Sequence, residues 1–115
     1  MLNWKVLENA NQLDSILLES EQKPVLLFKH STRCNISSVA KNRLETKWKF
    51  SENEIDAYYL DLLNHRDISN EIAERFSVHH ESPQIILLSK GDVVLDASHL
   101  DINVDEIGEQ LNLIK

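Results

Sequence analysis

The amino-acid sequence predicts an α/β protein in which a central mixed sheet is flanked by helices. Segments with strand-like and helix-like patterns alternate along most of the chain, which favours parallel strand pairing. Residues 25–29 form an apolar run with little alternation, as expected of a strand buried on both faces. Two final strand-like segments, 84–89 and 93–97, are separated by only three residues, which is short enough for an antiparallel hairpin.

The first half of the chain predicts two strands and two helices. Residues 4–7 predict a short strand, and residues 10–21 predict a helix with Asn9 as its N-cap, ending before Pro24. The apolar run at 25–29 is the predicted central strand. Residues 34–50 predict the clearest amphipathic helix, because apolar residues recur at four-residue steps: Ile36, Ala40, Leu44 and Trp48.

The second half predicts a strand, a helix, the hairpin and a last helix. Residues 57–62 predict the strand. The helix that follows is indicated by the apolar stripe of Ile68, Ile72, Ala73 and Phe76. The C-terminal helix is indicated by Val104, Ile107, Leu111 and Ile114, with Asn103 and Glu106 at capping-box spacing.

The predicted element order is therefore βαβαβαββα, which is the thioredoxin arrangement. A flavodoxin-like sheet is the alternative, but the chain is short for it and the closing hairpin breaks the alternation. The 115 residues contain neither an internal repeat nor a Pro/Gly-rich linker, so we expect residues 1–115 to form one thioredoxin-like domain.

Cysteine content and hydropathy predict the compartment. A single cysteine cannot form an internal disulfide, and this scarcity suits the reducing cytoplasm. The N-terminus lacks the pattern of a signal peptide. No apolar run approaches the roughly 20 residues that span a bilayer, so we expect no membrane association.

The charge distribution argues against nucleic-acid binding and favours anionic small partners. The formal net charge is −7, whereas phosphate binding requires clustered Lys and Arg. However, six of the twelve basic residues lie between Lys29 and Lys49, where Glu45 is the single acid. The segment predicts either an anion-attracting surface or a solvated helix face.

Cys34 is the candidate reactive residue because it stands where the best predicted helix begins, directly after the central strand and its loop. The N-terminal turn of a helix presents free N–H groups and the positive end of the dipole, which stabilise a thiolate. Arg33 adds a neighbouring positive charge, and we expect Ser37, one turn along the helix, to donate its hydroxyl to the sulfur. The alternative is a small apolar residue packed at a helix start.

The stretch Phe28–Ser37, FKHSTRCNIS, resembles the active-site segment of the monothiol bacilliredoxins, thioredoxin-fold proteins of bacillithiol-using bacteria. That family usually shows a Cys-x-Ile-Ser motif after a Lys-His-Ser-Thr lead-in. Chain length and element order agree over nearly the whole sequence. Asn35 departs from the pattern, since many relatives have Pro or Gly at this position, but we expect its side chain to supply an extra hydrogen-bond donor that supports the thiolate.

The resemblance implies the chemistry of a monothiol enzyme active in oxidative stress. Cys34 would attack the mixed disulfide between a client protein and bacillithiol, and a second bacillithiol would then free Cys34. Ser37 takes the place of the resolving cysteine of dithiol redoxins. The expected partners are S-bacillithiolated client proteins and the low-molecular-weight thiol itself. Bacillithiol is a cosubstrate, and no tightly bound cofactor is expected.

Pro83 opens the strand after the third helix, where the resemblance implies a cis-proline beside the active-site cysteine. The backbone of Ser82 would then be free to pair with an extended client segment. A simple strand-initiating proline is the alternative.

The histidines leave several possibilities open. His79 and His80 precede Glu81, but adjacent residues rarely point at one ion, so we expect no metal site. His30 ends the central strand, where it either tunes the thiol or satisfies backbone groups.

Two other function classes compete with the reductase. An iron–sulfur carrier like the monothiol glutaredoxins would bind a cluster through one protein cysteine and one small thiol, but the chain lacks the Cys-Gly-Phe-Ser motif of those proteins. A redox-inert thioredoxin-fold adaptor would bind proteins without using Cys34.

Overall fold

A computed structural model describes residues 2–114 and contains the nine elements of the predicted order. The strands are β1 (Trp4–Val6), β2 (Val25–His30), β3 (Asp56–Asp61), β4 (Gln84–Ser89) and β5 (Asp92–Ser98). The helices are α1 (Asn11–Glu19), α2 (Asn35–Lys47), α3 (Arg66–Phe76) and α4 (Val104–Leu113). A single 3-10 turn, His99–Asp101, which the sequence patterns did not indicate, joins β5 to α4.

The five strands form one mixed sheet in the order β1-β3-β2-β4-β5. Strands β1, β3 and β2 run parallel, whereas β4 is antiparallel to both β2 and β5. The predicted α/β class and the mixed sheet are confirmed, and the long apolar run of β2 occupies the centre because both its faces are covered.

Register brings the end of β2 beside the start of β4. His30 pairs with Asp61 at the end of β3, and Lys29 pairs with Gln84 at the beginning of β4. We call this edge of the sheet, where β2 and β3 end and β4 begins, the carboxyl edge. The loops that leave it lead into α2 and α3.

Two apolar layers cover the sheet. On one face, Leu26 and Phe28 of β2 pack in a cluster with residues of α2 and α4, among them Leu44 and Ile107. On the other face, alternate residues of β2 pack in a cluster with α1 and α3: Val25, Leu27, Leu13, Ile16, Ile68 and Ile72. Alternation along β2 therefore sends Phe28 and Lys29 to opposite layers.

Helix α2 is shorter than the predicted 34–50. It ends at Lys47, and Trp48 already has an extended backbone. The rings of Trp48 and Phe50 then meet edge to face at 5.0 Å, and Phe50 is buried in the α2/α4 layer. In a continued helix, residues two apart would point to different faces, so the extended backbone at Trp48 is what lets the two rings meet, and side-chain packing overrides the helical periodicity.

The predicted caps form hydrogen bonds. The Oδ1 atom of Asn103 accepts from the backbone N–H of Glu106 at 2.8 Å. Helix α1 begins at Asn11 rather than at residue 10, yet the Oδ1 atom of Asn9 still accepts from the N–H of Gln12 at 3.1 Å. None of the helices within residues 2–114 is long and apolar enough to cross a membrane.

Candidate functional site

Cys34 is the N-cap residue of α2, with extended backbone dihedral angles (φ −109°, ψ 119°), and its side chain is half-buried. Its N–H donates to Ser31 O, and its carbonyl accepts the first helical hydrogen bond, from Ser38 N, at 3.1 Å. These backbone bonds hold the residue between the carboxyl edge and the helix. Its side chain does not cap the helix, so within residues 2–114 the sulfur is not tied to a backbone N–H.

The charges around the sulfur are favourable to an anion. The first turn of α2 contains no acidic side chain, and Arg33 is exposed immediately before Cys34. Asn35 is exposed as the first helical residue. A thiolate at this position would therefore face the positive end of α2 with no carboxylate in the first turn of that helix.

Ser37 takes part in a hydrogen-bond network that differs from our expectation. We expected its hydroxyl to donate to the Cys34 sulfur. Instead Ser37 is fully buried, its Oγ accepts from the N–H of Ser31 at 3.0 Å, and it lies 2.6 Å from Nδ1 of His30. In the neutral tautomer of His30 that carries its hydrogen on Nε2, Nδ1 can only accept, so the Ser37 hydroxyl donates to it. Because a hydroxyl has a single hydrogen, Ser37 then has none left to donate to the Cys34 sulfur.

His30 is therefore a structural partner of the active loop. Its side chain is buried in the α2/α4 layer and stacks near Phe28 and Tyr59, with ring centroids 5.7 and 5.5 Å away. Burial lowers the pKa of the His30 imidazole, and the ammonium of Lys41 lowers it further, against smaller opposing effects of Asp61, Ser37 and Glu45. The neutral ring is consequently the stable form at neutral pH.

Ser82 and Pro83 lie at the same edge of the sheet. The Ser82–Pro83 peptide bond is cis, as the resemblance implied. Pro83 is buried, and its carbonyl accepts from the N–H of His99 at 3.0 Å. The Oγ of Ser82 is buried without a hydrogen-bond partner among residues 2–114.

Lys29 belongs to a second polar group on the opposite face of the sheet. Its side chain is fully buried, although it was expected to contribute to an exposed basic segment. The Nζ atom lies 3.2 Å from Nδ1 of His80, and Ser69 Oγ lies at the same distance from that nitrogen. Burial lowers the pKa of Lys29 to about 8.

The sequence patterns did not predict the two buried polar clusters, one around His30 and the other around Lys29. Lys29 and His30 close an apolar strand at the centre of the sheet, and polar groups buried there require partners. The sequence therefore indicates that Lys29 and His30 need hydrogen-bond partners. Which residues are the partners, Ser37 and His80, depends on how the loops pack against the strand. Within the described residues, no group of three or more His, Cys, Asp or Glu side chains could hold a metal ion.

The site can perform thiol–disulfide exchange with one sulfur. Cys34 is half-buried at a helix start and is not bonded to a second cysteine. Ser37 occupies the position of a resolving thiol and cannot form a disulfide. Any covalent intermediate at Cys34 must therefore be resolved by a thiol from another molecule.

Comparisons with known proteins agree with this geometry. A solved structure described as a candidate oxidoreductase with a thioredoxin fold is 33% identical, with a TM-score of 0.79, over 91% of this chain and 90% of that chain. The thioredoxin of Malassezia sympodialis is 13% identical, with a TM-score of 0.72, over 98% of this chain and 91% of that one. The thioredoxin of Fasciola hepatica is 18% identical, with a TM-score of 0.70, over 96% and 99%.

The two thioredoxins establish the fold alone. The family is established by a match to the family described as monothiol bacilliredoxin BrxC, which covers residues 5–107 and includes both Cys34 and Pro83. Family and fold together support a role of the thiol oxidoreductase type. The chain belongs to the monothiol bacilliredoxin family.

Proposed function

We propose that this protein is a monothiol reductase that removes bacillithiol from protein mixed disulfides through Cys34. The observation that carries the proposal is the position of Cys34: it is the N-cap of α2, at the carboxyl edge beside the cis-Pro83 loop, with serine at the third position after it. Family membership supports bacillithiol as the cosubstrate.

The reaction has two exchange steps. The Cys34 thiolate attacks the bacillithiol sulfur of the mixed disulfide, a new S–S bond forms, and the client leaves as a thiolate that takes a proton from water. A second bacillithiol thiolate then attacks the bacillithiol sulfur held on Cys34. Bacillithiol disulfide is released and Cys34 returns as a thiolate. The client sulfur is thereby reduced and the second, free bacillithiol is oxidised, whereas the first bacillithiol is in a disulfide both before and after the cycle.

The site supports each step physically. The open N-terminus of α2 and Arg33 stabilise the attacking and departing thiolate. The Ser82 backbone next to Pro83 is the proposed contact for an extended client segment, by addition of a short β-strand. The exposed guanidinium of Arg33, immediately before Cys34, also favours approach of the malate carboxylates of bacillithiol.

A cytoplasmic location fits this cycle. The reaction ends with a free thiol on Cys34, which a reducing compartment preserves. Bacillithiolated client proteins are the proposed partners, and repair of thiols after oxidative stress is the proposed role.

The test follows bacillithiol between molecules by intact mass. Reduced protein is mixed with a model client carrying bacillithiol in a mixed disulfide, alongside Cys34→Ser, and glutathione serves as the comparison thiol. We expect rapid gain of one bacillithiol by the wild type, loss of that mass on adding free bacillithiol, and neither event in Cys34→Ser. Transfer no faster than to an unstructured cysteine peptide would overturn the reductase and leave the iron–sulfur carrier or the adaptor.

A further inference from the structure

The fully buried side chain of Lys29 brings a positive charge into the α1/α3 layer. Its pKa of about 8 leaves the ammonium mostly protonated at neutral pH. Its hydrogen-bond partner is a histidine nitrogen, and within residues 2–114 no carboxylate forms an ion pair with it. A buried charge normally has an opposite charge beside it, so this charge lacks its usual compensation.

Lys29 also determines what His80 can offer. An ammonium group has only donors, so Nδ1 of His80 must accept from Nζ of Lys29 across their 3.2 Å separation. Burial, followed by the charge of Lys29, lowers the pKa of His80, so the ring is neutral and carries its hydrogen on Nε2. The outer nitrogen of His80 is thereby a hydrogen-bond donor.

A cavity of about 280 Å³ lies against His80, the hydrogen-bond partner of Lys29. Its lining is Leu62, Arg66, Ser69, Asn70 and His80. None of these side chains is a carboxylate, and no carboxylate in residues 2–114 forms an ion pair with Arg66. The guanidinium, the Asn70 amide and the outer nitrogen of His80 all supply donors, which is the composition of an anion site.

The cavity and Cys34 belong to the same end of the fold. Leu62 follows β3, Arg66 begins α3, and His80 precedes the cis-Pro83 loop, so all three lie at the carboxyl edge from which α2 also starts. The positive end of α3 adds to the field of Arg66. For a small molecule attached to Cys34, this cavity is the part of the carboxyl edge that lies toward α1 and α3.

We propose that the cavity formed by Arg66, Asn70 and His80, with Lys29 behind it, binds a carboxylate of the low-molecular-weight thiol during exchange at Cys34. This inference rests on the proposed function for the identity of the thiol, and it adds that the malate part of bacillithiol binds in this cavity. The bound carboxylate brings a negative charge to the cavity side of His80, whose Nδ1 is bonded to Lys29 on the other side.

The test compares two disulfide substrates in Arg66→Gln. One is a peptide mixed disulfide of bacillithiol, and the other is the same peptide joined to 2-mercaptoethanol, which has no carboxylate. We expect Arg66→Gln to raise KM for the bacillithiol substrate about tenfold, the loss expected for one charge-assisted hydrogen bond, and to leave the other KM unchanged. Arg43→Gln, which removes the same charge from the exposed side of α2, is the matched control and should affect both substrates little.

A binding measurement separates this inference from the proposed function. L-malate is titrated into the reduced wild type while backbone amide signals are followed by NMR, and shifts confined to Arg66, Asn70 and His80 that vanish in Arg66→Gln would support the site even if bacillithiol were not transferred. If the wild type transfers bacillithiol but Arg66→Gln changes both KM values alike, or no more than Arg43→Gln, the carboxylate site is overturned and the reductase stands. Absence of malate-induced shifts at these residues would likewise overturn the site.

Discussion

The Oγ atom of Ser37 lies 2.6 Å from Nδ1 of His30 and accepts a 3.0 Å hydrogen bond from the backbone of Ser31. His30 ends the central strand, and Ser37 lies in the first turn of α2, which begins directly after Cys34. The two buried side chains therefore link the end of β2 to the start of α2 and hold the intervening loop, which contains Cys34, in place. Ser37, in the position of a resolving cysteine, is a structural residue of the monothiol site.

Replacement of Ser37 by alanine should destabilise the fold. The change leaves the Ser31 N–H and the His30 ring without their buried partner, and we expect the free energy of unfolding to fall by about 1–3 kcal/mol. Urea denaturation of the reduced protein measures this loss. Ser38→Ala is the matched control, since Ser38 is exposed in the same helical turn and should change stability by less than about 0.5 kcal/mol. Equal effects of the two substitutions would contradict the structural role.

The buried His30 should make stability depend on pH on the acidic side of neutrality. Burial, aided by Lys41, lowers the pKa of His30 in the folded state against Asp61, Ser37 and Glu45, whereas the unfolded chain has the ordinary value of about 6.5. Below that value the unfolded state binds more protons, so stability falls as the pH decreases from about 6.5 through the folded pKa.

The variant His30→Asn isolates this contribution. Asparagine places an oxygen acceptor near the position of Nδ1 but does not titrate. We expect the unfolding free energy of the wild type to fall more than that of the variant as the pH decreases from 7.5 to 5. His80, whose pKa is also lowered by burial, is present in both proteins and cancels. A difference that stays constant with pH would rule out the neutral buried histidine.

The buried charge of Lys29 should cost stability at neutral pH. Since burial lowers its pKa to about 8 from 10.5, the unfolded chain binds more protons between these values, and stability contributed by this residue rises with pH across that window. Lys29→Met keeps a long apolar side chain without the charge. We expect the variant to be about 1–4 kcal/mol more stable at pH 7, with the advantage shrinking between pH 8 and pH 10.

Urea titrations at several pH values measure the Lys29 effect. Lys47→Met is the control because Lys47 is exposed in the last turn of α2, and it should shift stability by no more than about 0.5 kcal/mol. If Lys29→Met were destabilising at every pH, the bond from Nζ to His80 would outweigh the cost of burying the charge.

Arg33 should attract anionic reagents to the thiol. The alkylation rate of Cys34 is measured with iodoacetate, which is anionic, and with iodoacetamide, which is neutral. Because the sulfur is the same in both reactions, the ratio of the two rates reports the local field. In Arg33→Gln we expect this ratio to fall about threefold at low salt, from the loss of one nearby charge, and to fall less at high salt.

The control for the Arg33 experiment is Lys47→Gln, which removes one charge from the opposite end of α2. Its rate ratio should stay close to that of the wild type. A ratio that falls equally in both variants would show that net charge, rather than the placement of Arg33, governs access of anions.

The local pattern of the sequence determined the fold and the place of the thiol. The apolar run at 25–29 specifies a strand covered on both faces, and the closing hairpin around Gly91 specifies an antiparallel edge, because burial and turn chemistry act over a few residues. Cys34 at the start of α2 follows from the same short-range signals, and the motif around it identified the family.

Tertiary structure alone decided which polar groups meet. Ser37 faces His30 rather than the Cys34 sulfur, and Lys29 reaches His80 across 51 residues of sequence. Helix α2 ends at Lys47 because Trp48 and Phe50 pack together and reach the core. Partners of buried polar and aromatic groups are selected by how distant segments pack, and a periodic pattern along one segment contains no information about the segment that will lie against it.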